Sequence, residues 1–470
     1  MSAYPVIIKT EKLLMKLFSI IIMILLFPFS LWANVVDIAQ RGAKNDGVTD
    51  NTLCIQDAID ECHKKGGGVV FLSGGGKYLS GTLFLKSYVT LRIGNGTTLL
   101  ASPRIEDYSK DTHKNMYKNE SHMDRCFIYA ENANSIALDG YGTIDGNGFV
   151  SNFPRQRPMM IRFKDCRRIT LKDLSLVNPA AWTSAWLYCD DITVSGVRIV
   201  SRVNRNGDGL DFDGCTNVRV TNSSFDTSDD CICLQTSKPD SPCRNIVINN
   251  CTFTSKWAGI RIGLLSRAEI SSVTVSNCTF NDINDAGLKI QQNEGGCMSD
   301  MIFSNLVMKN VPRPVFMTFC KQRACVDAPK EQLDSLNYMK RFFFTNFIVN
   351  NEGLDKNSVF LFSGIPGHYI EDVYLNGIYF NIAGGGTEEE TRRKNIPEFD
   401  LNSMKNHWPE YRCLGGVLPA SGFYLRHVRG VNLSNVIVKT KEKEVRPLVK
   451  EEDVSGLRTF NLEKQYSAAE

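Results

Sequence analysis

Apolar residues recur along this chain at offsets of zero, two, five and seven, and the set then repeats. It reads Ile169, Leu171, Leu174, Leu176, and next Ile192, Val194, Val197, Ile199. Further copies are Ile246, Ile248, Cys251, Phe253 and Val273, Val275, Cys278, Phe280, with later ones starting at Met301, Val373 and Val431. A copy at Val218, Val220 and Phe225 carries Ser223 at its third position. Pairs of apolar residues two apart, broken by one extra residue, predict two short strands joined at a bend rather than a helix. The anchors Ile169, Ile192, Val218, Ile246 and Val273 follow one another at 23, 26, 28 and 27 residues. Strand–bend–strand units at that period predict an all-β single-stranded parallel β-helix, its coils stacked about 4.8 Å apart.

Two ladders should run along the stack. Asn222, Asn250, Asn277, Asn305 and Asn435 share one bend position, where an amide side chain can bond its neighbours and the turned backbone. Cys166, Cys189, Cys215 and Cys243 each stand three residues before an anchor and should fall on consecutive coils. They admit two readings, buried thiols that pack as small apolar groups or disulfides between rungs, and the odd total of 15 cysteines does not demand bridges. Ahead of the repeats, Asp50 or Asn51 can cap a helix with Cys54, Ile55, Ala58, Ile59 and Cys62 on one face, and Gly66-Gly67-Gly68 ends it. Such a helix would cover the open end of a solenoid. The repeat is interrupted near 312–341 and 384–424, and insertions in a solenoid emerge as loops, either as part of a binding face or as plain solvated loops. Past Leu448 the pattern fades, as expected of a terminal cap.

Composition changes this picture little. The chain has 470 residues, 43% hydrophobic and 22% charged, with a formal net charge of +3, which excludes a strongly basic nucleic-acid surface and leaves both neutral and anionic glycans open. Residues 1–33 read as a secretory signal: Lys16, an apolar run from Leu17 to Leu31, and Trp32-Ala33 before Asn34, with Met15 as an alternative start. A secreted or periplasmic, monomeric protein with one domain over 34–470 is the expectation. No Cys/His cluster has zinc spacing, so neither metal nor cofactor is expected.

Candidate chemistry lies in Asn206 to Thr236. Asp208 stands two residues before Leu210, and Asp230 two before Ile232. If these apolar residues are equivalent on neighbouring coils, the two aspartates stack with Asp229 beside them. Clustered carboxylates repel, which leaves one protonated as an acid, the division of labour that glycosidic hydrolysis needs. A lone aspartate in this fold is better read as a turn cap, the reading that fits Asp173, Asp190 and Asp191.

The stretches AKNDGVTDNT, GGGVVFLSGG, GTIDGNG at 142–148, SDDC at 228–231 and LPASGFYLRHVRGVNLSNV at 418–436 resemble the polygalacturonases of glycoside hydrolase family 28. The resemblance covers nearly all of the chain after residue 33. It implies a right-handed parallel β-helix and inverting hydrolysis of α-linked galacturonan or rhamnogalacturonan. The family's Asn-Thr-Asp falls on Asn206-Gly207-Asp208 and its Gly-Asp-Asp on Ser228-Asp229-Asp230. By that match Asp229 is the general acid, and Asp208 and Asp230 activate water. Two departures concern substrate grip. The family's Gly-His-Gly falls on Trp257-Ala258-Gly259, so the histidine is missing. Its Arg-Ile-Lys falls on Lys289-Ile290-Gln291, which loses a bidentate donor and a charge. Arg261, Lys289, Gln291, Trp257 and Asn206 remain as candidate substrate contacts, and Trp257 reads either as a sugar platform or as a packing residue. A pectic polysaccharide is the expected partner, with rhamnogalacturonan or a pectic side chain as the variant substrate. A silent glycan-binding β-helix and a polysaccharide lyase are the other readings.

Overall fold

The computed structural model describes residues 34–118, 120–327, 336–404 and 407–467; the leader expected over 1–33 lies outside them. The chain winds as a right-handed parallel β-helix in which each strand pairs with the strands one coil before and one coil after. A coil of the middle region holds three strands, as in Ser184–Leu187, Asp190–Ser195 and Arg198–Ser201. Register follows the apolar template: Ile169 faces Ile192, then Val218, Ile246, Val273, Met301, Phe342, Val373 and Val431. Phe342, Phe344, Phe347 and Val349 form one further copy, buried like the others. These inward rows make one continuous core along the stack.

The bends explain the polar ladder. Asn222, Asn250, Asn277, Asn305 and Asn435 all have φ between 53° and 55°, the left-handed region where asparagine and glycine are tolerated. Their amides then bond along the stack, Asn250 to Asn222 at 2.7 Å and Asn305 to Asn277 at 3.0 Å. Cys166, Cys189, Cys215 and Cys243 do stack on consecutive coils, next to the paired residues Arg167, Asp190, Thr216 and Arg244. All four are buried free thiols, which is the packing reading.

The end helix, α1, spans Thr52–Lys64 and buries Ile55, Ala58, Ile59 and Cys62, while Cys54 is only half-buried. Asn51 is its N-cap residue, and Asp50 accepts the Thr52 amide at 2.9 Å. At the other end the apolar pattern fades past Leu448 although regular structure continues. Val449–Ser455 and Arg458–Tyr466 form one more coil, whose side chains are too polar to show the apolar template. The interruption near 312–341 contains the strand Arg313–Phe319, so the loop proper starts after it. The one over 384–424 folds into short helical turns, among them Glu388–Thr391 and Tyr411–Leu414. A third loop, 102–125, had no sequence signature.

Candidate active site

Outward positions on neighbouring coils set out the site, with Cys233 and Arg261 lining it. Asp211, Cys233 and Arg261 are paired in that order, and Lys289 follows Arg261. Leu210 lies opposite Ile232, so Asp208 and Asp230 occupy the same place on adjacent coils. One oxygen of each lies within 4.8 Å of the other and of the Cys233 sulfur. The loop that carries them is pinned by its backbone: the Gly209 amide donates to the Asp230 carbonyl at 3.0 Å, and Ser255 Oγ donates to the Asp229 carbonyl at 2.6 Å. A side chain at Gly207 would collide with Ser201 Oγ and Ser228 Oγ. Ser228 Oγ accepts the Gly207 amide at 3.1 Å, so the small residue and the hydroxyl-bearing one have changed places relative to the Asn-Thr-Asp and Gly-Asp-Asp pattern.

Burial governs the electrostatics. Asp208 is enclosed and its Oδ1 has no hydrogen-bond partner in the protein. Loss of water, then the charges of Asp229, Asp211 and Asp230, hold its carboxyl well above the usual range. Asp229 is pushed up to about 7 by burial and by Asp230, against the pull of Arg261. Arg261 Nη1 sits 3.0 Å from Asp230 Oδ2, and the Ala258 amide donates to Asp230 Oδ1 at 3.1 Å. Among the described residues, Asp208, Asp230 and Cys233 are the one group spaced to hold a metal ion, and the Arg261 guanidinium already supplies positive charge there.

The remaining predicted contacts divide. Asn206 and Trp257 line the cavity over the aspartates, together with Arg261. Asn206 is oriented by Arg157, whose Nη2 donates to its Oδ1 at 2.7 Å. Lys289 and Gln291 have no exposed surface. Lys289 Nζ lies 2.6 Å from Asp285 Oδ2 and 4.9 Å from the centre of the Trp257 ring. Gln291 accepts from Arg261 Nη2 at 3.3 Å and donates to the Pro409 carbonyl. These two side chains therefore stand behind the wall rather than on it.

Residues that no motif marked complete the enclosure. Tyr117 packs edge-on against Trp182 and Trp408, at centroid distances of 5.7 Å and 6.2 Å. It comes from the 102–125 loop, whose Tyr117 bridges Cys325 of the loop after Phe319 in antiparallel fashion. Under this arch lies a cavity of about 180 Å³, lined also by Glu120, Asp208, Asp229 and Asp230. Burial pushes Glu120 up to about 7. Asp229 and Asn206 also line a larger cleft of about 940 Å³ outside it, where Lys118, His122, Arg205, His407 and Arg412 gather.

A group held protonated by the fold binds more protons than the unfolded chain between its ordinary value and its raised one. Asp229 and Glu120 therefore contribute stability that is complete below about pH 4 and is lost as pH rises through about 7, and Asp208 acts in the same direction. Urea midpoints across that window should decline, and Asp229→Asn should flatten the decline. A slope unchanged in the variant would rule out Asp229 as a contributor.

A right-handed β-helix with a carboxylate cluster beneath an aromatic-lined cavity defines the class. The model of the glycosyl hydrolases family 28 matches residues 76–338, over half of the chain, and the chain belongs to that family. It is 26% identical over 317 residues to a probable polygalacturonase of Vitis vinifera, which covers 61% of this chain and 63% of that protein. It is 27% identical over 341 residues to an exo-poly-alpha-D-galacturonosidase of Dickeya chrysanthemi, covering 59% of this chain and 56% of the other. The chain thus spans about three fifths of the length of these curated relatives. An exopolygalacturonase of Thermotoga maritima shares the fold, with a TM-score of 0.63, 20% identity, and coverage of 74% of this chain and 87% of that one.

Proposed function

We propose that this protein is a glycoside hydrolase acting on pectic polysaccharide with inversion at the anomeric carbon. Asp229 donates its proton to the glycosidic oxygen, and Asp208 and Asp230 together activate the attacking water, whose proton passes to Asp230 because burial already holds one on Asp208. The observation that carries this reading is the position of Asp229 at the junction of the two cavities, with its carboxyl pushed up to about 7, while Asp208 and Asp230 line the inner cavity alone. An acid with that value is about half protonated at neutrality and largely so below it, which is what donation to a leaving group requires. In this scheme Trp257 offers a face to the sugar. Asn206 offers its amide NH2, because Arg157 occupies its oxygen. Lys289 and Gln291 act by holding Trp257 and Arg261. The names of the relatives, polygalacturonase and exo-poly-alpha-D-galacturonosidase, favour a pectic substrate.

We further propose that the protein works outside the cytoplasm as a monomer. No helix among the described residues is long and apolar enough to cross a membrane. Reducing-sugar release from a panel of pectic fractions, with and without chelator, tests the reaction. Chelator-insensitive release of saturated products supports hydrolysis. An unsaturated product absorbing in the ultraviolet would assign a lyase, and binding without release would assign a silent glycan-binding module.

A further inference from the structure

The inner cavity and the outer cleft differ in the cations they offer. Four carboxylates face the inner one: Asp208, Asp229, Asp230 and Glu120. Its one cation among the described residues is Arg261, which Asp230 and Gln291 already engage. Lys289, where the resemblance placed a grip on a sugar carboxylate, is enclosed and paired with Asp285. A sugar carboxylate entering here would lose its water with no free counter-ion to meet it. The apolar and amide groups that line the rest, Trp182, Trp408, Leu264 and Gln235, suit an uncharged ring. The outer cleft, which Asp229 and Glu120 also reach, is different: Lys118 and Arg205 are exposed at it, as is Arg412, which pairs with Glu410.

The inner cavity also ends. On the coils that precede the aspartates, the row that ends in Asp211 runs through Tyr129, Arg162 and Ala185, all buried, and Tyr129, Met159 and Ala185 belong to a second apolar cluster. Met123, Leu264, Leu265 and Ala324 fill it from loops and a strand bulge. The Lys118 amide donates to the Ala324 carbonyl at 3.0 Å and the Val326 amide to the Met116 carbonyl at 2.6 Å, which ties the two covering loops together. This plug occupies the path a polymer would need to continue past the carboxylates.

We propose that the inner cavity accepts one uncharged sugar, the non-reducing terminal unit of a chain whose next unit is an acidic sugar held in the outer cleft. The proposal rests on the hydrolytic reading above. Water attacks the anomeric carbon of the terminal sugar while its bond to the glycosidic oxygen breaks. Asp229 protonates that oxygen, and the water's proton passes to the Asp208–Asp230 pair. The products are a free neutral monosaccharide and a chain shortened by one unit with an acidic sugar at its new end.

The test offers the full-length protein two sets of oligosaccharides and separates the products by chromatography. One set alternates neutral and acidic sugars and begins with a neutral non-reducing end; the other is oligogalacturonide. Expected is a neutral monosaccharide from the first set, with KM raised when the penultimate carboxylate is methyl-esterified. Arg205→Glu should raise KM for the free acid at least about fivefold and so narrow the gap to the ester. Galacturonate released from oligogalacturonide at a similar rate would overturn the neutral pocket, and internal fragments would overturn terminal action. Hydrolysis of neither set or of any pectic fraction would instead sink the hydrolytic reading and this inference with it.

Discussion

Asp229→Asn should lower kcat by about 10²- to 10⁴-fold on any glycan the protein cleaves, with KM changed much less, because a general acid acts in the transition state. The substitution is close to isosteric. Asparagine keeps an oxygen to accept the Asp230 amide, now bonded to Asp229 Oδ1 at 3.0 Å, so the loop should stay in place. The loss is therefore of a proton, not of a fold. The parent enzyme should lose activity as pH rises through about 7, where Asp229 gives up that proton, and the variant's residual rate should lack this limb. Activity undiminished by the change would end the assignment of Asp229 as acid.

Arg261→Gln should have the second largest effect, on two observables at once. The guanidinium is buried between Asp230 and Gln291, and Gln291 in turn holds the Pro409 carbonyl of the loop that carries Trp408. Removing one partner of a buried ion pair leaves the other uncompensated, which costs about 3–5 kcal/mol and can be read from urea unfolding. Arg261 also lowers the Asp229 carboxyl, so its loss should move the alkaline limb of the pH–rate profile upward. Arg261→Lys retains the charge without the fork, and should restore much of the limb's position while recovering little of the contact to Gln291. An alkaline limb that stays in place in a folded Arg261→Gln protein would show that this charge does not set the acid.

Much of the fold was legible because the β-helix repeats one solution. An inward residue on one coil faces an inward residue on the next, so Ile169, Ile192 and Val218 announce each other. The bend needs a left-handed residue every time, and asparagine returns there. Even the stacking of Asp208 over Asp230 could be read, since it follows from Leu210 pairing with Ile232. The copy at Phe342, found only in the structure, has its four apolar residues at the template offsets too. The last coil was not legible, since Arg458–Tyr466 is largely exposed and has little need of apolar side chains.

The substrate side of the site obeys no such period. Gln291 and Pro409 are 118 residues apart, and Tyr117 meets Cys325 and Trp408 across loops of different length. From the sequence, Lys289 looks like a surviving cation at a binding wall; its pairing with Asp285 and its burial depend on loops that cover it. Glu120, Trp182 and Cys233 stood outside the motifs, although each lines the inner cavity. What the amino-acid sequence determined by itself was the coil, its register and the cluster of aspartates, because hydrogen-bonded stacking makes each coil a local consequence of the one before. Only the tertiary structure decided which cations remain free, how the cavity closes and what charge a sugar meets inside it, because contacts between loops from distant coils are settled by packing and leave no periodic trace in the chain.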